Sequence, residues 1–313
     1  MEWSKRVFDK AYNMMNPNTF LFYHYGKIPD YLCHAIEHVR VFNPESEIYL
    51  ITDGIKSTSI MNRFGVKTFQ MEDFHSTELD DFKKNYRHIS CFNEKYERFV
   101  LERWFVTEII RKKQPERVYV MLDSDVAVFE KVDALIDNLP EKPILLTNRN
   151  PGFNFINDDI TDFLNFINDY YRDGEKISRA LEKFKTQSYS GELFTLGEMQ
   201  LLFEYLELDR SMIIHHVDKT YGLVDGNIHV PQGFDYLELR RRPRKKVFWK
   251  LEEGRAIPYF KREDELVRAF LLHFQGPGKR VFHRFNSIDG PTSPLQVWWW
   301  NQIFQKRWLA NLM

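Results

Sequence analysis

Residues 118 to 129, Val-Tyr-Val-Met-Leu-Asp-Ser-Asp-Val-Ala-Val-Phe, constrain the fold more than any other stretch: an apolar run is broken by Asp123 and Asp125 and then resumes. A run of this kind, rich in β-branched residues, reads as a strand buried on both faces of a parallel sheet, where a lone carboxylate is costly to desolvate. Two carboxylates there call for a cation. With one residue between them, they converge on one ion only if the strand turns at that point. That puts them at a strand's carboxyl end, where open α/β sheets bind ligands. Hard oxygen ligands, few in number, suit Mg2+ or Mn2+ shared with substrate phosphates. A solvated turn after an ordinary strand would explain Asp-x-Asp alone equally well.

Far downstream, Leu271-Leu272-His273-Phe274-Gln275-Gly276-Pro277-Gly278-Lys279 supplies complementary chemistry. An apolar strand delivers the imidazole of His273, a ligand of borderline softness. A Gly-Pro-Gly turn lets backbone approach an anion, and Lys279 stands as a point charge for phosphate. Leu-Asp-Ser-Asp-Val followed near the C-terminus by His-Phe-x-Gly-x-x-Lys resembles the metal-binding pair of the GT-A-fold, DxD-containing glycosyltransferases. The likeness is to the retaining family of glycogenin and the bacterial lipopolysaccharide galactosyltransferases. The resemblance implies an α/β fold of GT-A type: a Rossmann-like nucleotide-binding half with a mixed central sheet, completed by an acceptor-binding C-terminal half. It implies that Asp123, Asp125 and His273 hold Mn2+ or Mg2+ and that Lys279 contacts the diphosphate, with Ser124 and Gly276 beside the donor. It further implies transfer from a nucleotide diphosphate sugar, UDP-linked, to a glycan, lipid-linked or protein acceptor, with retention. The chain differs from the family pattern at Arg280-Val281, where Pro-Trp is usual.

The order of elements agrees with an alternating α/β chain. Residues 19–25 read as a strand ending at Gly26, 29–42 as a helix, 47–52 as a second strand ending at Asp53-Gly54, 57–64 as a short helix and 66–70 as a short strand. After an acidic stretch at 72–81, a long helix is expected over 94–113, with Phe99, Trp104, Phe105 and Ile109 on or near one stripe. If the fold holds, Tyr23, His24, Tyr25 and Gly26 after the first strand, and Asp53 after the second, face a base and ribose. Asp53 as a plain turn residue is the competing reading. Arg103 could reach the phosphates or serve as an ion-pair residue on a helix loaded with Glu and Arg. The expected division is 1–149 for the nucleotide-sugar half, 150–290 for the acceptor half and 291–313 for an aromatic amphipathic helix.

In the second half, Ser190 to Leu202 opens a helix with an acidic first turn, and Glu198 is the candidate for meeting the acceptor or acting as base. Helix-dipole compensation explains a Glu there as well. Asp225, in Asp225-Gly226-Asn227, is a second catalytic candidate. His215 and His216 are adjacent, so in a strand they point to opposite faces and cannot share a metal. The basic run at 240–246 reads as a solvated hairpin loop or as a surface for anionic lipid. The tryptophan-rich segment at 295–313 reads as a core-packed or membrane-interfacial helix.

Composition narrows the partners. At 313 residues and 43% hydrophobic content the chain can bury a large core. A net charge of −1 gives no general attraction to nucleic acid. The two cysteines, Cys33 and Cys91, cannot build a zinc site between them and suit a reducing compartment. Residues 1–10 lack an apolar core, and no window nears 18 uninterrupted apolar residues, so a cytoplasmic location is expected. A sugar nucleotidylyltransferase and a non-catalytic carbohydrate- or nucleotide-binding relative remain open. Tyr25-Gly26-Lys27-Ile28 is a poor match to the Gly-rich, basic loop of the former.

Overall fold

The structure, a computed structural model, describes residues 18–54, 59–115, 117–136, 144–147, 150–190, 195–207, 213–214, 217–218, 222–225, 227–230, 233–237, 244–276, 278–279, 282, 293, 295–296 and 298. In chain order the strands are β1 Thr19–His24, β2 Glu47–Thr52, β3 Lys67–Gln70, β4 Tyr119–Leu122, β5 Val126–Val128, β6 Ile144–Thr147, β7 Asn150–Ile156, β8 Ile213–Ile214, β9 Val217–Asp218, β10 Gly222–Asp225, β11 Tyr236–Leu237, β12 Arg244–Lys245, β13 Val247–Glu252, β14 Arg255–Arg262 and β15 Glu265–His273. The described helices are α1 Asp30–Phe42, α2 Ser59–Arg63, α3 Thr77–Asn85, α4 Glu94–Arg111, α5 Asp133–Ile136, α6 Thr161–Arg172, α7 Gly174–Ser190 and α8 Glu198–Leu206. The chain divides into two compact units, one drawn from Met1–Ile28, Glu47–Asp123 and Pro140–Ile213, the other from Pro29–Ser46, Ser124–Leu139 and Ile214–Met313.

The first unit is built on the seven-stranded sheet β3-β2-β1-β4-β7-β6-β8. β1 runs parallel to both β2 and β4, pairing Phe22 with Leu50 on one side and Leu122 on the other. β7 runs antiparallel to β4, so the sheet is mixed, as the resemblance implied. Every residue of β1 and β4 is buried, which is why their sequences are apolar without alternation. Leu21, Ile51 and Met121 join Phe82, Trp104, Phe105, Phe163, Ile167 and Leu201 in one core.

α4 is capped by Asn93, whose side chain accepts from the Lys95 and Tyr96 amides at 3.0 and 3.2 Å. Here the expected single stripe is corrected. Phe99, Trp104 and Phe105 are buried, but so are Glu97, Glu102, Arg103, Glu108 and Arg111, which means the helix is enclosed on nearly all sides. α3 falls partly within the acidic stretch and was not expected. Ser76 caps it by accepting from the Leu79 amide at 3.1 Å, and Leu79 and Phe82, three residues apart, carry its buried side.

The second unit holds a sheet of order β13-β14-β15-β10-β9, with β5 paired to β15. The run at 118–129 is therefore two strands and not one. Its first half is β4, and the chain turns at Asp123-Ser124-Asp125 so that its second half lies antiparallel to β15, Val126 opposite His273. α1 packs on β5 through an apolar side that includes Leu32, Ile36 and Val39. His38 on that side meets the ring of Phe129 edge-on, with ring centroids 4.8 Å apart.

Strand and helix limits in the first 70 residues fall within two residues of those expected from the sequence. Of the basic run, Arg244, Lys245 and Lys246 are described and 240–243 lie outside the described residues, as do His215, His216 and most of 295–313. Among the described residues no helix is long and apolar enough to cross a membrane.

Candidate functional site

Two groups of charged side chains stand at strand ends, one in each unit. In the first unit, β4 ends at Leu122 and the Asp123 amide donates to the Gly152 carbonyl oxygen on β7 at 2.8 Å, which fixes the backbone as the turn begins. Arg103 reaches the Asp123 carboxylate from α4, its Nη1 donating to Oδ1 at 2.7 Å. The other edge of the same guanidinium grips Glu198 at the start of α8, with Nε to Oε1 and Nη2 to Oε2 both at 2.6 Å. Trp104 Nε1 adds a bond to Glu198 Oε1 at 2.5 Å. Burial pushes the Glu198 carboxyl above the usual carboxylate range, against the pull of the Arg103 guanidinium.

At the ends of β1 and β2 the expected nucleotide residues divide. Gly26, at φ +83°, turns the chain after β1, and its amide donates to Asp53 Oδ1 at 2.9 Å, so Asp53 ties the two strand ends together. The Tyr25 ring lies against Tyr96 and Phe99, with centroids 6.1 and 5.7 Å away, and Tyr96 is exposed. His24 Nε2 donates to the Lys27 carbonyl oxygen at 2.9 Å and closes the same turn. Tyr23 faces α4 as Tyr25 does, but deeper. It is buried, its hydroxyl is 2.8 Å from Thr107 Oγ1, and burial raises its pKa strongly.

In the second unit, the β5 and β15 ladder continues as the Phe274 amide donates to the Asp125 carbonyl oxygen at 2.9 Å, which sets the Asp125 side chain beside His273. His273 Nε2 lies 3.3 Å from Asp125 Oδ1, and Lys279 Nζ lies 3.2 Å from Oδ2. Burial alone would raise the Asp125 carboxyl, but His273 and the Lys279 ammonium hold it down at about 2. Gly276, at φ +55°, makes the turn that brings Lys279 back, and the ammonium sits 5.2 Å from the centre of the Tyr31 ring. Ser124 is half-buried in the turn that leads into Asp125.

Asp225 ends β10, which runs parallel to β15 with Asp225 opposite Leu272. Its Oδ1 accepts from Lys245 Nζ at 2.7 Å, and both side chains are wholly buried. Lys245 also donates to the Asn227 carbonyl oxygen at 2.9 Å, while Asn227 Nδ2 donates to Gln275 Oε1 at 2.8 Å. The solvated-loop reading of the basic run is thus corrected at Lys245. β12 places this lysine inside, between Arg244 and Lys246, and its charge is met by Asp225.

No family model and no curated protein matches the sequence. Among solved structures the chain is similar to the galactosyltransferase LgtC in complex with donor and acceptor sugar analogues, at 13% identity over 64% of this chain and 73% of that one, TM-score 0.38. It is also similar to apo mouse xyloside xylosyltransferase 1, at 8% identity over 64% and 85%, TM-score 0.43. A third is the apo glycosyltransferase GlyE of Streptococcus pneumoniae TIGR4, at 15% identity over 64% and 45%, TM-score 0.35.

The ligand chemistry follows from the side chains. Asp125 and His273, both in the second unit, offer a carboxylate oxygen and an imidazole nitrogen to a metal ion, and Asp123 stands two residues before Asp125 in the chain. Two carboxylates and one imidazole, with no thiolate, fit Mg2+ or Mn2+ better than a structural zinc. A buried carboxylate held as an anion by two cationic or donor partners is also the kind of group that accepts a dication. Sequence reasoning missed Trp104, Tyr31, Gln275 and Lys245. For Lys245 a signal existed: period-two alternation through Arg244, Lys245 and Lys246 turns the middle residue to the opposite face.

Proposed function

We propose that the protein is a metal-dependent glycosyltransferase that moves a sugar from a nucleotide diphosphate sugar, UDP-linked, to a hydroxyl of a glycan or glycoconjugate acceptor, with retention. The observation that carries this reading is Asp125 at the head of β5, bonded to His273 and Lys279 and following Asp123 by two residues. Asp123, Asp125 and His273 are the ligand set for Mn2+ or Mg2+. When bound, the ion supplies Lewis-acid stabilisation of the charge that builds on the departing diphosphate. Lys279 adds a second positive charge on a half-exposed side chain. Tyr25, Gly26 and Asp53 line the strand ends assigned to base and ribose, within the donor half at 1–149. Acceptor binding belongs to 150–290.

Asp225 is assigned to the sugar. Lys245 holds one of its oxygens, and the other, Oδ2, is buried without a hydrogen-bond partner among the described residues, which suits an acceptor for a sugar hydroxyl. Retention agrees with the place of Glu198: it is buried and its carboxylate is engaged by Arg103 and Trp104, which suits an internal ion pair better than a base for an acceptor hydroxyl. The leaving diphosphate would take that proton on the same face. A panel of nucleotide sugars, scored for thermal stabilisation and slow donor hydrolysis with and without Mn2+, tests the reading. One UDP-sugar is expected to stabilise and hydrolyse only with the metal, and no response to any donor under either condition refutes it. NMR of the first-formed product is expected to show the anomer of the donor.

A further inference from the structure

Arg103 is fully buried, and its guanidinium serves two carboxylates at once: Glu198 through Nε and Nη2, Asp123 through Nη1. Glu198 in turn is fixed from a second side by Trp104. Gly197 caps α8 and stands close to the Glu97 carboxylate, where a Cβ would lie 2.5 Å from Glu97 Oε2. The charges matter as much as the fit. A lone buried guanidinium against a metal-binding carboxylate both occupies that carboxylate and repels a dication, and a low local dielectric strengthens both effects. A carboxylate on the far edge of the guanidinium cancels the repulsion and keeps the directional bond to Asp123.

We propose that Glu198 is a positioning residue for cation binding, which fixes Asp123 through Arg103 and offsets the charge that Arg103 would otherwise set against the ion. This rests on the reading of Asp123 as a metal ligand, and it gives Glu198 a role other than the base expected from its place in the sequence. The bidentate fork and the indole bond make it a rigid support, of the kind whose loss loosens a metal without touching it.

Mn2+ titrations followed by electron paramagnetic resonance, on the full chain without nucleotide, test the proposal in wild type, Glu198→Gln, Arg103→Met and the double variant. Glu198→Gln should bind Mn2+ roughly 10- to 100-fold more weakly than wild type, the usual loss when a ligand's supporting partner goes. Arg103→Met removes the repulsion together with the bond that holds Asp123 and should lose less than Glu198→Gln does, and the double variant should match Arg103→Met, a non-additivity that a purely structural role of Glu198 would not produce. Replacing both charges of a buried pair by groups of similar volume is commonly neutral to folding, so the double variant remains measurable if Glu198→Gln does not fold. It should then match Arg103→Met, and a clear difference between the two overturns the proposal. Wild type that binds no Mn2+ overturns the metal reading and this inference with it. Wild-type binding with an unchanged Glu198→Gln overturns this inference alone.

Discussion

Replacing Asp125 by Asn removes the charge that His273 and Lys279 share and leaves the side chain's shape. The carboxyl is held at about 2, below its ordinary 3.8, because the two partners outweigh a burial that leaves 4% of the residue exposed. At about 1.4 kcal/mol for each pH unit, that depression is worth about 2 kcal/mol to the metal-free protein at neutral pH. A depressed folded-state pKa gives stability that is present above the unfolded value and lost as pH falls through the folded one. In chelator, the urea-unfolding difference between wild type and Asp125→Asn should therefore be about 2 kcal/mol at pH 7, shrink below about pH 4 and approach zero near about pH 2. Hydrogen exchange at the amides of β5 and β15 gives the local reading. A difference that stays flat or grows towards acid would refute the argument, as would none at neutral pH.

Lys245→Met strands a buried carboxylate and should cost about 3 to 5 kcal/mol in denaturant unfolding, most of it recovered when Asp225→Asn is added. A loss within the range of about 0 to 1 kcal/mol typical of exposed pairs would mean that Lys245 is solvated. Lys279→Ala should weaken binding of the nucleoside diphosphate in Mn2+, and unchanged affinity by calorimetry would remove Lys279 from the diphosphate. Tyr23→Phe should lower stability by about 1 kcal/mol through the lost bond to Thr107 and leave nucleotide affinity as it was, separating packing from binding at the end of β1.

What the sequence made legible was local. β1, β2 and β4 announce themselves as apolar runs closed by Gly26, Gly54 and Asp123, and the Asp123 to Asp125 spacing demands a turn that the structure supplies. The limits appear where a partner is distant. Arg103 and Glu198 are 95 residues apart and Asp225 and Lys245 are 20, so nothing nearby in the chain says that either charge is matched and hence buried. α3 was hidden by its own charges, since five of its residues are acidic or basic and none of these is buried, while Leu79 and Phe82 alone carry the buried side. Helix α4 defeats period reading for the opposite reason: when a helix is enclosed, its polar residues are core too, and no stripe remains to be found.

The contact between Lys279 and Asp125 bears on the order of events. The ammonium lies against an oxygen of Asp125, so on the proposed reading a dication that used this oxygen would exchange with the lysine. On the proposed reading Lys279, half-exposed and carried on the turn at Gly276, would give up its pairing with Asp125 when an ion binds there. Nucleotide that came first would meet a lysine still neutralised by Asp125. On that reading the two ligands would be coupled through one side chain, and by reciprocity each would tighten the other to the same degree. Titrated separately, neither should show the affinity it has in the other's presence.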